Sequence, residues 1–249
     1  MTPLVRGTLV ALLAVVCGCA TLFRPAGVSP EAAALLARAG DINPGLMTLK
    51  GLGSLDIVRS GKRFQARVAW ICQPPDKFRI TVLGALGRPA ISLVSDGRRF
   101  SFLSHDTGQF EQWDRGALFP PVPLPIAIAP EDIADVLSGR VPVKAYDAAS
   151  VKPGDTTAIE VLVLTQWGRT IQTIDFRKGS PRPEDFTVYT EQGERAYAVA
   201  FRDHREMAGF RLPGRFEIRG SDGSSVSVRA DRYWPNAPVD PAVFVLKPA

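Results

Sequence analysis

Between Lys50 and Trp113 the chain alternates apolar and polar positions with the period of an extended strand. Phe64, Ala66, Val68, Trp70 and Cys72 share one parity, while Arg63, Gln65 and Arg67 share the other. The next run sets Phe78, Ile80 and Val82 against Lys77, Arg79 and Thr81. Such alternation marks antiparallel strands with one buried and one wet face. It predicts strands over 49–59, 63–72, 76–83, 88–95, 98–104 and 108–114, divided by Ser60-Gly61, Pro74-Pro75, Gly84-Ala85-Leu86-Gly87, Asp96-Gly97 and Asp106-Thr107-Gly108. Asp96-Gly97 is a two-residue hairpin signal because both positions tolerate positive φ. Strands joined by such short turns curl into a sheet with a greasy concave face.

The period changes after Gly116. Leu118-Phe119-Pro120-Pro121-Val122-Pro123-Leu124-Pro125 cannot be a central strand, because its prolines lack the donors a ladder needs. Pro130 then opens a helix over 131–138, with Glu131 and Asp132 in its first turn, Gly139 at its end, and Ile133, Val136 and Leu137 as its apolar stripe. The stretch 116–142 reads as a lid over the sheet. Strands return over 157–165, 169–177, 184–190, 195–202, 211–219 and 224–233, with Gln192-Gly193 and Asp222-Gly223 as turns. Phe216 and Ile218 alternate with Arg215, Glu217 and Arg219, and Val226 and Val228 with Ser225, Ser227 and Arg229. Phe244-Val245-Leu246 reads as a final apolar plug, and neither an internal repeat nor a second core is visible. Near the start, Ser29, Pro30 and Glu31 open a short Ala/Leu-rich helix that Gly40 stops. It carries Leu35 and Leu36 and needs an apolar surface to pack on.

Composition adds an address. Arg6 followed by the apolar run Thr8–Val16, too short to span a bilayer, fits a signal peptide over 1–18. Val16-Cys17-Gly18-Cys19 is similar to the lipobox of bacterial lipoproteins, with an aliphatic residue at −3, a small one at −1 and Cys19 as the lipidated residue; a plain secretory signal is the alternative. Residue +2 is Ala20 rather than Asp, which in a diderm bacterium implies sorting to the outer membrane. Residues 19–28 then form a tether, and 29–249 one domain, a length that a single β domain accommodates. Of the three cysteines this leaves Cys72 alone, on the apolar parity of its strand, as a buried inert thiol. The formal charge of +5 falls to +4 when the signal takes Arg6 with it. That mild excess suits an anionic membrane surface and excludes a nucleic-acid footprint, since no basic run or basic helix accompanies it. Arg59, Lys62, Arg63 and Arg67 gather around one turn, as a solvated basic edge or a headgroup site.

Chemistry leaves little trace. His105 and His204 lack Cys or carboxylate partners at ligand spacing, so no metal site is implied and both read as surface residues. Neither a G-x-S-x-G elbow nor a phosphate-cradling glycine loop occurs. The expectation is a binding protein with no catalytic residues and no cofactor.

With those features in place, the order of motifs resembles the LolA/LolB family of outer-membrane lipoprotein localisation proteins. The resemblance rests on the lipobox, on Pro75-Asp76-Lys77-Phe78-Arg79-Ile80 followed by Leu83-Gly84-Ala85-Leu86-Gly87, and on Val122-Pro123-Leu124-Pro125 with Ile133 and Val136-Leu137-Ser138-Gly139-Arg140-Val141-Pro142. It covers about 45–142 by motif and the second half by strand count; the expected aromatic residue near the lid helix is missing. It implies a mainly β fold, an incomplete antiparallel β-barrel of about eleven strands covered by short α-helices. It also implies a hydrophobic cavity for the acyl chains of lipoproteins or other lipids, and an exposed Leu86 that meets the membrane. Function follows as expectation: acyl chains are received from a soluble periplasmic LolA-like carrier and passed to the outer membrane, where Cys19 anchors the protein on the periplasmic face. The cavity candidates by parity are Phe64, Val68, Trp70, Phe78, Ile80, Val82, Ile91, Leu93, Phe100 and Phe102; the lid candidates are Leu124, Ile126, Ile133, Val136 and Leu137. Each has a second reading as ordinary core, because filled and hollow interiors use the same residue types. A non-transporting envelope lipoprotein of the same fold, structural or partner-binding, is the alternative.

Overall fold

The computed structural model describes residues 27–115 and 126–247. The signal-like segment, Cys19 and Leu124 lie outside them. The fold grows from one antiparallel sheet in two arms. The first arm is the N-terminal meander: β1 (Leu49–Arg59), β2 (Lys62–Gln73), β3 (Lys77–Leu83), β4 (Pro89–Asp96), β5 (Arg99–Ser104) and β6 (Phe110–Asp114). The second arm contains β7 (Ala148–Pro153), β8 (Ile159–Gln166), β9 (Arg169–Arg177), β10 (Pro183–Tyr189), β11 (Arg195–Arg202), β14 (Arg215–Gly220) and β15 (Ser225–Pro235). A separate ribbon pairs β12 (Arg205–Met207) with β13 (Phe210–Leu212). The large sheet has 13 strands in the order β6-β5-β4-β3-β2-β1-β15-β14-β11-β10-β9-β8-β7, so β1 and β15 form the seam and the sheet stays open between β6 and β7. Two helices lie over it: α1 (Pro30–Gly40) against β7 and β8, and α2 (Pro130–Leu137) against β2 and β3. This is the expected mainly β, incomplete barrel with helical cover. The described residues form more strands than expected because β7 and β12 are added and the stretch expected over 211–219 divides into β13 and β14. Among the described residues no helix is long and apolar enough to cross a membrane.

The alternation sets the faces as expected, and turn chemistry shifts the boundaries. At the β4–β5 turn Gly97 has φ +88° but Asp96 does not turn left-handed; its carboxylate instead accepts from the backbone N–H groups of Arg98 (2.8 Å) and Arg99 (2.7 Å), moving the two loop positions to Gly97-Arg98. The strand expected over 211–219 breaks at Pro213, which has no donor for the ladder, and restarts at Arg215. β7 escaped the sequence pattern because Ala148–Pro153 shows little alternation; its strand character comes from pairing with β8.

The seam needs two glycines. A Cβ on Gly51 falls 2.1 Å from the Trp70 ring, which lies across it from the neighbouring strand. One on Gly53 meets the Arg229 carbonyl oxygen at 2.2 Å, where β1 and β15 slip register.

A second, small core contradicts the single core expected. Val94 and Leu103 point to the convex face of β4 and β5, where Phe244 and Leu246 of the C-terminal segment cover them, and Arg79 donates to the Val243 carbonyl at 3.2 Å. The apolar plug therefore docks outside the cup. Cys72 is fully buried and its thiol is pushed up to about 12 by desolvation, so it is inert. His105 is exposed, whereas His204 is only half-exposed and is held below the usual histidine range by burial and by Arg211, Arg182 and Arg202.

Candidate functional site

Side chains of inward parity from β1 to β5, β14 and β15 enclose a cavity of about 190 Å³ that α2 and the segment before it roof over. Of the expected cavity residues, Val68, Trp70, Ile80, Val82, Ile91, Leu93 and Phe102 line it. Of the expected lid residues, Ile126, Ile133, Val136 and Leu137 line it as well. The wall is almost wholly carbon.

Three expected residues stand elsewhere. Phe78 and Phe100 have the right parity but lie at the other end of their strands, where Phe78, Phe100 and Trp113 pack ring on ring at 6.0 and 5.7 Å as solid core. Phe64 also faces inward, yet it is 53% exposed beside Ile57, past the end of the wall. Parity fixes the face of a residue and says nothing about its height along the strand. The wall also includes Leu55, Ile57, Ile128, Phe216, Ile218, Val226 and Val228. The alternation on β14 and β15 marked their four residues as inward; the missing link was the pairing of β15 with β1, which brings the end of the chain beside its first strand.

Exposure along each strand locates the mouth. On β1, β14 and β15 the buried Leu55, Phe216 and Val228 give way to half-exposed Ile57, Ile218 and Val226. On β2 the buried Val68 gives way to exposed Phe64. All four gradients rise toward the end that carries the β1–β2 and β14–β15 turns. The β3–β4 turn lies at that same end and holds Leu86, 94% exposed at φ +59°. Backbone hydrogen bonds from Gly87 to Gly84 and from Gly84 to Arg88 close that turn, leaving the leucine side chain outside.

Trp70 forms the deepest part of the wall, edge-on to Phe216 at 6.0 Å and to Tyr233 at 5.7 Å. Its buried indole N–H has no hydrogen-bond partner among the described residues, a cost of roughly 1–3 kcal/mol that an apolar wall imposes.

The roof is tied down at both ends. Asp132, in the first turn of α2, is 3% exposed and accepts from Lys144 Nζ at 2.7 and 2.5 Å and from the Tyr197 hydroxyl. Burial pushes its carboxyl up, and Lys144 opposes that shift. Buried Gln172 accepts from the Lys144 backbone N–H and donates to the Pro142 carbonyl, both at 2.9 Å. Beyond the helix, Arg140 donates to the carbonyls of Asn43 (3.1 Å) and Leu46 (2.9 Å). Gly139, at φ +72°, lets the chain turn against Pro213, where a Cβ would stand 2.6 Å from the ring. Asp135, on the same helix, has its carboxyl pushed up to about 6 by burial, with Arg140 opposing and Asp132 and Asp76 adding. No group of three His, Cys, Asp or Glu side chains among the described residues is arranged to hold a metal.

The architecture has known counterparts. No protein-family model matches this sequence, and no curated protein matches it. Solved structures do. A DUF1329 family protein from Desulfovibrio piger shares 13% identity over 86% of this chain and 96% of its own, with a TM-score of 0.61. A LolA superfamily protein from Nitrosomonas europaea shares 12% over 86% and 97%, with a TM-score of 0.60. An outer membrane lipoprotein-sorting protein domain from Vibrio parahaemolyticus shares 10% over 86% and 95%, with a TM-score of 0.62. At these identities the likeness is one of fold, and the chain has the open-barrel architecture of LolA superfamily proteins.

Proposed function

We propose that this chain is an envelope lipid-binding protein that takes the acyl chains of lipoproteins into the cavity under α2 and passes them to the outer membrane. The observation that carries the reading is the cavity itself: a hollow, carbon-lined space under α2 where β1–β5 meet β14 and β15 across the seam, with its mouth at the rim. In this proposal Cys19 anchors the protein, a periplasmic carrier of the same fold delivers the cargo, and Leu86 dips into the receiving bilayer. Burying a chain of about sixteen carbons at ~0.8 kcal/mol per CH₂ is worth on the order of 10 kcal/mol, so release requires a bilayer at the mouth offering nearly as much. No catalytic step is needed, because transfer runs between two apolar environments.

One observation favours the second reading, a non-transporting module of the same fold. The cavity of about 190 Å³ is smaller than the roughly 300–1,000 Å³ of ordinary ligand sites, and both ends of its roof are tied. On the transport reading this is the closed state, and cargo must lift α2.

The deciding experiment is native mass spectrometry of the purified protein with extraction of any bound lipid. A stoichiometric acylated ligand, lost in Ile57→Glu with folding intact, supports the carrier reading. Ile57 lines the mouth and is half-exposed, so the carboxylate there is tolerated by the fold while opposing an acyl chain. A protein free of lipid that also fails to take up a fluorescent fatty acid refutes transport and leaves the partner-binding module.

A further inference from the structure

We propose that Trp167 is a second contact with a lipid bilayer, so that the cup stands on the membrane by one turn from each arm. Gln166 pairs with Arg169 across the β8–β9 hairpin, leaving Trp167-Gly168 as a two-residue loop with φ of +53° and +74°. Such primed turns favour Asn, Asp or Gly at the first position, because positive φ strains a bulky residue. Tryptophan stands here instead, and its side chain is 85% exposed. The backbone is held firmly, since Asp147 Oδ2 accepts the Trp167 N–H at 2.6 Å, while the side chain stands out in solvent. Neither the strain nor the exposure serves the fold, and that combination points to an external partner.

The same device recurs in the other arm, where Leu86-Gly87 adopts φ of +59° and +71° with the leucine fully presented. Register carries both turns to one end of the molecule. Every neighbouring pair from β3 through the seam to β8 is antiparallel, so the β3–β4 and β8–β9 turns share the rim that holds the cavity mouth. At the opposite end, by contrast, exposed Trp234 is covered by the Arg232 guanidinium, 5.6 Å from its ring.

A lipid surface fits this pair better than a protein groove does. The two side chains protrude singly on facing arms, and tryptophan prefers the boundary between headgroups and acyl chains. Around the Leu86 arm, exposed Arg59, Lys62 and Arg88 make no ion pair among the described residues and match anionic headgroups. The Trp167 arm mixes Asp147, Glu191 and Arg169, so the ring itself makes the contact there.

The inference rests on the proposed envelope function for its choice of partner, and the test separates the two. The full chain is reconstituted into vesicles of phosphatidylethanolamine and phosphatidylglycerol, with and without brominated acyl chains. Subtracting the emission of Trp167→Phe isolates the Trp167 component. The expected result is that brominated lipid removes most of that component, and that the loss lessens in Leu86→Ser. Equal emission in both vesicles overturns the bilayer contact, even if lipid is found in the cavity. Quenching of Trp167 in a protein whose cavity holds no lipid keeps the contact and rejects acyl transfer. If Trp167 stays unquenched but Trp167→Ser abolishes crosslinking to another envelope protein, the turn is a protein-docking site and the bilayer assignment is wrong.

Discussion

The arm under α1 and the arm under α2 are made by the same alternation on one sheet, yet the first is solid and the second hollow. Under α1 the inward residues of β8 to β11 include Phe176, Phe186, Tyr197 and Phe201, all buried, with Phe186 packed against Tyr197 and Phe201 at 6.3 and 6.1 Å. Ala32, Leu35 and Ala39 of the helix close on them, and the Arg38 guanidinium lies 4.9 Å above the Phe176 ring. Around the cavity under α2 the inward residues are mainly aliphatic, with Ile57, Ile80, Val82 and Ile91 from the first arm and Val226 and Val228 across the seam, and rings come from Trp70, Phe102 and Phe216. These aliphatic side chains leave space beneath the cover that a wall richer in rings fills. The difference in bulk, rather than in hydrophobicity, decides which arm has room for a guest.

The largest expected effect breaks the filled arm. Phe176→Ala should cost about 3–5 kcal/mol in urea unfolding, since the ring is fully buried and leaves a cavity. Ile91→Ala, half-exposed beside a space that already exists, should cost at most about 2 kcal/mol. Equal losses would mean the two arms are packed alike. Next comes the tie on the roof. Asp132→Ala strands the Lys144 ammonium and the buried Tyr197 hydroxyl, at a cost of about 2–3 kcal/mol. It should also speed uptake of a fluorescent fatty acid by freeing α2. Faster uptake without loss of cargo capacity would identify the tie as the gate. A smaller, signed contrast comes from overfilling: Val199→Phe should destabilise by about 1–3 kcal/mol, while Val226→Phe at the cavity wall should be nearly neutral and displace the probe.

Much of this contrast was written in the alternation. The first-arm strands, both helices and the inward faces of β2 to β5 follow from side-chain parity and caps: Ser29 accepts from the Ala32 N–H at the start of α1, as its position predicts. What parity cannot carry is height and partnership. Phe78 and Ile80 are neighbours of equal parity on one strand, yet one is core and the other wall. The β1–β15 pairing joins residues far apart in sequence, so the wall contributed by Phe216, Ile218, Val226 and Val228 had no local signal beyond its face. Trp167 was overlooked for the converse reason. Its turn sits between two well-formed strands, and only its φ and its exposure mark it as anything but a connection.

The smallest expected effect concerns the charge under the roof. Asp135 lies near the C-terminal end of α2, where the helix dipole disfavours a carboxylate, and its carboxyl group has no hydrogen-bond partner among the described residues. Burial raises it from 3.8 to about 6, and Arg140 and Lys144 offset this only in part against Asp132 and Asp76. A carboxyl raised in the folded state binds its proton more tightly folded than unfolded. Its ionisation therefore costs nothing below pH 3.8, costs progressively more as pH climbs to about 6, and costs its full amount above that. Asp135→Asn removes this cost, so the variant should be more stable than wild type by about 1–2 kcal/mol at pH 8, with the gain gone near pH 4. Asp175, in the other arm, is raised to about 6 as well, so the pH profile of wild type alone reports both groups and only the difference between wild type and variant isolates Asp135. A gain that persists unchanged at pH 4 would mean the amide helps by packing and that the charge is not what strains the roof. A gain confined to high pH, accompanied by slower uptake of the fatty-acid probe, would mean that ionised Asp135 keeps the roof over the hollow arm ready to lift.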